Sequence, residues 1–197
     1  MQPGLTNVGA GRTSFLFQIN VTRRCQLRCS HCYILSDKKD TSPDMSEAEF
    51  LHVVQGIVDH MKLDYEFSRR YTFVDIHVIG GEPSMLGVDF FKAALPKAKA
   101  MLSEIPQEVA FSIVTNLVTH EALEVARLFD KVATSYERST RFNKRKQEEI
   151  WKNNVRTLMA ESKNPSLPGP KDFSVTTALV KPVVQAGAVS MIEELVE

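Results

Sequence analysis

Five times along this 197-residue chain, an apolar run of strand length is followed by a stretch with helical spacing. In residues 14–21 (SFLFQINV), Phe15, Phe17, Ile19 and Val21 alternate with Leu16, Gln18 and Asn20. One face is apolar throughout, and the other turns polar toward its C-terminal end. Further strands are expected at 71–79, 108–115, 131–136 and 173–180. The spacing predicts helices over about 47–62, 88–103, 119–129 and 145–161, and a last one over about 188–196. In the first of these, Ser46 is the N-cap, Glu49 completes a capping box and Met45 can staple against Phe50. Pro96 is expected to kink the second helix or to end its first half. Regular alternation implies a parallel sheet with right-handed crossovers. Five units do not close an eight-stranded barrel, so the sheet is either open or a partial barrel.

The first strand runs directly into Cys25-Gln26-Leu27-Arg28-Cys29-Ser30-His31-Cys32-Tyr33. This stretch holds all three cysteines of the chain, spaced C-x3-C-x2-C. Parallel α/β folds place their sites on loops that leave the C-terminal ends of strands. A structural zinc ion takes four protein ligands, and a cubane iron–sulfur cluster usually takes four cysteines, one per iron. Three thiolates without a fourth therefore suggest a cluster with one iron left open to bind something else. Two plainer readings stand beside it. One is a zinc site completed by His31, for which the spacing is tight. The other is three unligated cysteines, since positions 25, 29 and 32 share one face of a helix. An odd cysteine count in one cluster argues against a disulfide framework and for a reducing compartment, the cytoplasm.

Charge narrows the partners. Lysine plus arginine and aspartate plus glutamate number 24 each, which removes the basic footprint of a nucleic-acid binder. No apolar run approaches the ~20 residues of a membrane span, so no membrane partner is expected. Residues 1–13 lack the charged and apolar regions of a secretory signal and read as a flexible leader before one domain, 14–197.

The second strand ends in Gly80-Gly81-Glu82-Pro83. Glycines let a backbone approach a ligand closely, and a carboxylate suits an ammonium partner. Alone, such a stretch is a turn; its position and company give it meaning. C-x3-C-x2-C followed by an aromatic residue after a first strand, with GGEP at the end of the next, resembles the radical S-adenosylmethionine (SAM) enzymes. The resemblance spans about 14–180. It implies a partial (β/α) barrel of the radical SAM type, parallel strands alternating with helices in about five to six units. It implies that Cys25, Cys29 and Cys32 ligate three irons of a [4Fe–4S] cluster, whose fourth iron chelates the amino and carboxylate groups of SAM. Tyr33 would lie near the adenine, and Gly80, Gly81, Glu82 and Pro83 would receive the methionine amino group. Asn116 and Ser135 would touch the ribose or the methionine carboxylate, and Arg145 would serve that carboxylate.

The activity so implied is an oxidoreductase-type radical reaction. An electron from a flavodoxin- or ferredoxin-type donor cleaves SAM to methionine and a 5′-deoxyadenosyl radical, which abstracts hydrogen from a substrate. Thr134-Ser135-Tyr136 followed by a basic helix start is similar to members that modify peptides or proteins. A small-molecule metabolite is the alternative substrate, and a non-catalytic metal-binding or interaction module is the alternative of another class. The family core has six units where five strands are counted here, and no cysteine follows Cys32 to hold an auxiliary cluster. A minimal enzyme, and a piece whose last strand and substrate-binding part lie elsewhere, both fit that count.

If Val74, Ile76 and Val78 face the helices, Asp75 and His77 point into the barrel lumen. They are candidate catalytic residues that line a substrate cavity or shuttle a proton, or else satisfied buried polar residues. His52, His60 and His120 read as helix-surface residues and Trp151 as core. The basic run 138–146 (RSTRFNKRK) reads as a solvated loop and helix start, or as a docking site for an acidic peptide or SAM.

Overall fold

Strands β1 (Ser14–Thr22), β2 (Phe73–Gly80), β3 (Glu108–Val114), β4 (Lys131–Ser135) and β5 (Asp172–Thr176) form one sheet in sequence order. Every neighbouring pair is parallel. The structure, a computed structural model, describes residues 13–30, 32, 42–137, 141–142, 144–164, 166–167 and 169–177. The expected strand at 173–180 is β5 as far as Thr176; residues 178–180 and the expected helix at 188–196 lie outside the described residues. Helices α1 (Glu47–Leu63), α3 (Val88–Leu102), α4 (His120–Ala126) and α5 (Arg145–Ser162) alternate with the strands. A single-turn helix α2 (Tyr65–Ser68) is added, started by the Asp64 carboxylate, which accepts from Phe67 N at 2.8 Å.

The two faces of the sheet differ in kind. Phe15–Val74–Val109, Phe17–Ile76–Phe111 and Ile19–Val78–Ile113 are in register across the first three strands. Ile19, Val74, Ile76, Val78, Phe111 and Ile113 are buried in one core with Val54 and Val58 of α1, Phe91 and Leu95 of α3, Val125 of α4 and Leu158 of α5. The opposite face carries a polar row in register through all five strands: Gln18, His77, Ser112, Lys131 and Asp172. On that face Leu16, Gln18 and Asn20 of β1 are exposed, as are Asp172, Ser174 and Thr176 of β5. A face that alternates polar residues with the buried set is not itself packed to core density.

The expected capping box forms: Ser46 Oγ accepts from Glu49 N at 3.3 Å, and Glu49 Oε2 accepts from Ser46 N at 2.7 Å. Pro96 does not end the first half of the helix: α3 continues across it to Leu102. Pro96 is on the exposed side, so the carbonyl that loses its donor is left to water, while Phe91, Ala94, Leu95, Ala98 and Leu102 hold both halves of the helix in the core. His52, His60 and His120 are exposed. Trp151 is buried, donates from Nε1 to Thr134 Oγ1 at 3.1 Å, and packs its ring 5.1 Å from that of Tyr136. Among the described residues, no helix is long and apolar enough to cross a membrane.

Candidate functional site

β1 ends at Thr22, and the chain turns at once into the cysteine loop at the C-terminal edge of the sheet. Among the described residues of the loop, Leu27 is fully buried and anchors it. It also has a carboxylate clamp. Asp44, just before α1, accepts from Thr22 Oγ1 at 2.5 Å and from Arg24 Nε at 2.9 Å, and it forms a second ion-pair contact with Arg24 Nη2. The same Nη2 donates to Met85 O at 3.1 Å, tying the clamp to the segment that follows GGEP. The Arg24 bond holds the Asp44 carboxyl below its ordinary range.

The GGEP stretch is latched to this loop. Gly81 N donates to Thr22 O at 2.8 Å, and Glu82 N donates to Arg24 O at 2.7 Å. This contact dictates the glycines. A Cβ on Gly80 would stand 2.3 Å from Thr22 O, and one on Gly81 would stand 2.3 Å from Arg24 O and 2.5 Å from Arg23 O. The close approach that the two glycines permit is therefore to the backbone of the cysteine loop. Pro83 opens a 3₁₀ turn, Pro83–Leu86, and is buried.

The Glu82 side chain points inward, 1 % exposed. One carboxylate oxygen accepts from Ser84 N (3.2 Å), Ser84 Oγ (2.6 Å) and Thr115 Oγ1 (2.6 Å), and the other from Asn116 N (2.6 Å). Burial pushes its pKa up, while the four donors pull it down; the upward push is the larger. The carboxylate ties the end of β2 to the end of β3. In the segment after β3, Asn116 Oδ1 accepts from Val118 N at 3.1 Å and Gln26 Nε2 at 3.3 Å, while Nδ2 donates to Cys25 Sγ at 3.7 Å.

All three cysteines are free thiols, each half-buried. Cys25 also accepts from Leu27 N at 3.4 Å, and Cys32 N donates to Cys29 O at 3.1 Å in a tight turn. The thiols lie close enough to act on one another: Cys32 raises the pKa of Cys25, and Cys25 and Cys32 raise that of Cys29. Burial is the main cause of both upward shifts. Cys29 faces Arg141, donating to its carbonyl at 3.7 Å, and the Arg141 charge partly offsets the effect of burial. Among the described residues, no three His, Cys, Asp or Glu side chains converge as ligands of a single metal ion.

The sequence matches no known family model, and no curated protein is significantly similar to it.

Two buried polar atoms of residues next to the thiols, Gln26 Oε1 and Arg141 Nε, have no hydrogen-bond partner among the described residues. Gln26 lies between Cys25 and Cys29, and Arg141 abuts Cys29 while its Nη1 pairs with Glu137 Oε2 at 3.0 Å. An unpartnered acceptor and an unpartnered cationic donor in this neighbourhood suit a bound group that carries both ammonium and carboxylate.

The remaining candidates fall in different places. Arg145 lies on the outer surface of α5, 91 % exposed, paired with Glu149 at 3.0 Å. Of the basic run 138–146, Arg141 is the residue whose carbonyl Cys29 reaches; the run alone does not single it out in the sequence. Ser135 ends β4 half-buried, in register with Thr176. Tyr33 and His31 lie outside the described residues. Asp75 and His77 are on the open face, away from the helices, as expected. Asp75 accepts from Ser112 Oγ and from Lys131 Nζ (2.7 Å), and His77 Nε2 stands 3.5 Å from Asp75 Oδ1. Burial alone would raise its pKa, but His77, Lys131 and Ser112 outweigh it and hold Asp75 at about 2. A carboxylate so held is a fixed anion at neutral pH and has no proton to shuttle.

Proposed function

We propose that this chain is a radical SAM enzyme, a partial (β/α) barrel in which Cys25, Cys29 and Cys32 hold three irons of a [4Fe–4S] cluster and leave the fourth to SAM. One observation carries the reading. The cysteine loop and the GGEP turn, which follow different strands, are bonded to each other through Gly81 N–Thr22 O and Glu82 N–Arg24 O. Two stretches that each resemble the family's motifs thus form the walls of one site. When bound, the cluster and SAM supply a one-electron carbon–sulfur cleavage that yields a 5′-deoxyadenosyl radical able to abstract hydrogen.

The chain's own residues bind and orient. Gln26 Oε1 is an acceptor for the methionine ammonium, and Arg141 Nε is a donor for its carboxylate, a role the spacing of the sequence had given to Arg145. Glu82 braces the wall between β2 and β3 from inside. The open face below the loop, with Gln18, His77, Ser112 and Lys131 in one row, takes the substrate. On it His77 stands 3.5 Å from Asp75 and lines the row. The electron comes from a flavodoxin- or ferredoxin-type protein. A peptide or protein is the substrate that the family-like layout of Thr134-Ser135-Tyr136 favours.

Anaerobic reconstitution with iron and sulfide tests the reading. The expected product is a brown protein with about four irons per chain and a broad band near ~400 nm. Reduction in the presence of SAM should release methionine and 5′-deoxyadenosine, and changing all three cysteines to alanine should abolish both signals. A colourless protein with one zinc would favour the binding module. SAM cleavage by the triple variant would sink the proposal.

A further inference from the structure

Asn116 is held more tightly than a residue that merely closes a turn. Its N–H is bonded to Glu82 at 2.6 Å. The next residue, Leu117, is fully buried at φ 53°, a left-handed conformation that costs a branched residue about 1–2 kcal/mol. That conformation is over-determined from outside: Leu117 N donates to Thr115 Oγ1 at 3.3 Å, and Asn154 of α5 donates to Leu117 O and Thr119 O, both at 2.9 Å. Strain kept in this way points to a task for the residue it presents.

The orientation of the Asn116 amide is fixed by its partners. Val118 N–H and Gln26 Nε2 both reach Oδ1, so the branch facing Cys25 is the NH₂ group; a flipped amide would set N–H against N–H. Cys25 therefore receives two N–H donors, from Leu27 and from Asn116, whereas Cys29 faces the carbonyl of Arg141. Hydrogen bonds to the sulfurs of an iron–sulfur centre are among the factors that set its reduction potential. Reduction adds negative charge that spreads onto the thiolates, and a donor aimed at sulfur stabilises the more negative state more.

Resting on the cluster reading of the three cysteines, we propose that Asn116 is a positioning residue that donates Nδ2–H to the Cys25 thiolate and raises the potential at which the centre accepts its electron. The step balances with one electron: the four-iron core passes from the 2+ to the 1+ state, and a reduced low-potential flavin or iron–sulfur protein is oxidised by one. No atom is transferred. Asn116 acts through Cys25, its amide being already engaged on three sides.

The test is a redox titration of the reconstituted wild-type protein and of Asn116→Ala and Thr115→Val, followed by the electron paramagnetic resonance of the reduced centre. Thr115 braces the same junction through Glu82 but donates to no cysteine. The proposal expects a more negative midpoint for Asn116→Ala with four irons retained, and an unshifted midpoint for Thr115→Val. An unshifted midpoint in Asn116→Ala, or equal shifts in both variants, overturns it. If Asn116→Ala fails to load iron, wild-type protein labelled with ¹⁵N-asparagine decides: a ¹⁵N coupling to the reduced centre supports the proposal, and its absence overturns it. A wild-type protein that binds no four-iron centre removes the cluster reading itself, an outcome distinct from a loaded centre with an indifferent Asn116.

Discussion

Asp75 on β2 and Lys131 on β4 meet across the strand between them, Nζ to Oδ2 at 2.7 Å, with Ser112 of that middle strand bonded to the same carboxylate. One anion thus fastens three strands on the open face. Lys131 also lies over the Phe73 ring, 4.4 Å from its centroid, which directs the ammonium toward the N-terminal end of the sheet. The cluster is a floor beneath the polar row.

That floor makes stability depend on acid. The folded pKa of Asp75 is depressed from 3.8 to about 2, so its contribution is fully present above pH ~4 and is lost as pH falls toward 2. The shift corresponds to roughly 2 kcal/mol. Asp75→Asn should lower stability at pH 7 by about that amount and flatten the fall between pH 4 and 2. Urea unfolding across that range measures both; an unchanged slope in the variant would remove Asp75 from the account.

Gly81→Ala should be tolerated poorly. A methyl 2.3 Å from Arg24 O forces the latch apart. Overpacking against backbone costs about 1–3 kcal/mol, and the cysteine loop should lose more order than the sheet. Far-ultraviolet circular dichroism should stay close to wild type while iron uptake drops.

Glu82→Gln keeps the shape of the side chain and reverses half of its chemistry. The hydroxyls of Ser84 and Thr115 can turn to accept, but Ser84 N–H and Asn116 N–H cannot. At least one backbone donor is left facing an NH₂ group, at a cost of about 1–3 kcal/mol for an unsatisfied buried group. Thermal unfolding reads this directly, and a Tm equal to wild type would mean that the junction tolerates a neutral strut.

Arg24→Ala separates local from global order. The Arg24–Asp44 pair is half-exposed, and such pairs contribute about 0–1 kcal/mol. Global stability should therefore barely move. Hydrogen exchange at 23–29 should quicken, because the pair and the Met85 bond both restrain the loop. Equal protection in the two proteins would show that Leu27 and the latch are sufficient.

The strands and helices were legible because their apolar periods are clean: Phe15, Phe17, Ile19 and Val21 on one face, and Phe50, Val54, Ile57, Val58 and Met61 on another. The boundaries that moved did so for local reasons. Pro96 did not end α3 because it faces water while its neighbours hold the core. The site was legible in part. The cysteines and the GGEP turn are short contiguous patterns, and the register of the sheet brings them together. The partners of Asp75 were not legible, because Ser112 and Lys131 become neighbours only through a register that strand patterns leave open. Arg141 was hidden for a similar reason. Sequence spacing pointed to Arg145, which opens α5 and whose side chain faces solvent.

The latch also fixes an order of events in time. The cysteines leave the ribosome before the residues that restrain them: Gly81, then Asn116, then Arg141. Until then the three thiols sit on a chain with no second wall, open to oxidation and to adventitious metals. On the cluster reading proposed above, insertion of the metal centre is a late event, with most of the described sheet already synthesised. Ribosome-bound chains of increasing length should take up iron poorly until both Asn116 and Arg141 have cleared the exit tunnel, and efficient uptake by a chain ending before Asn116 would contradict this order.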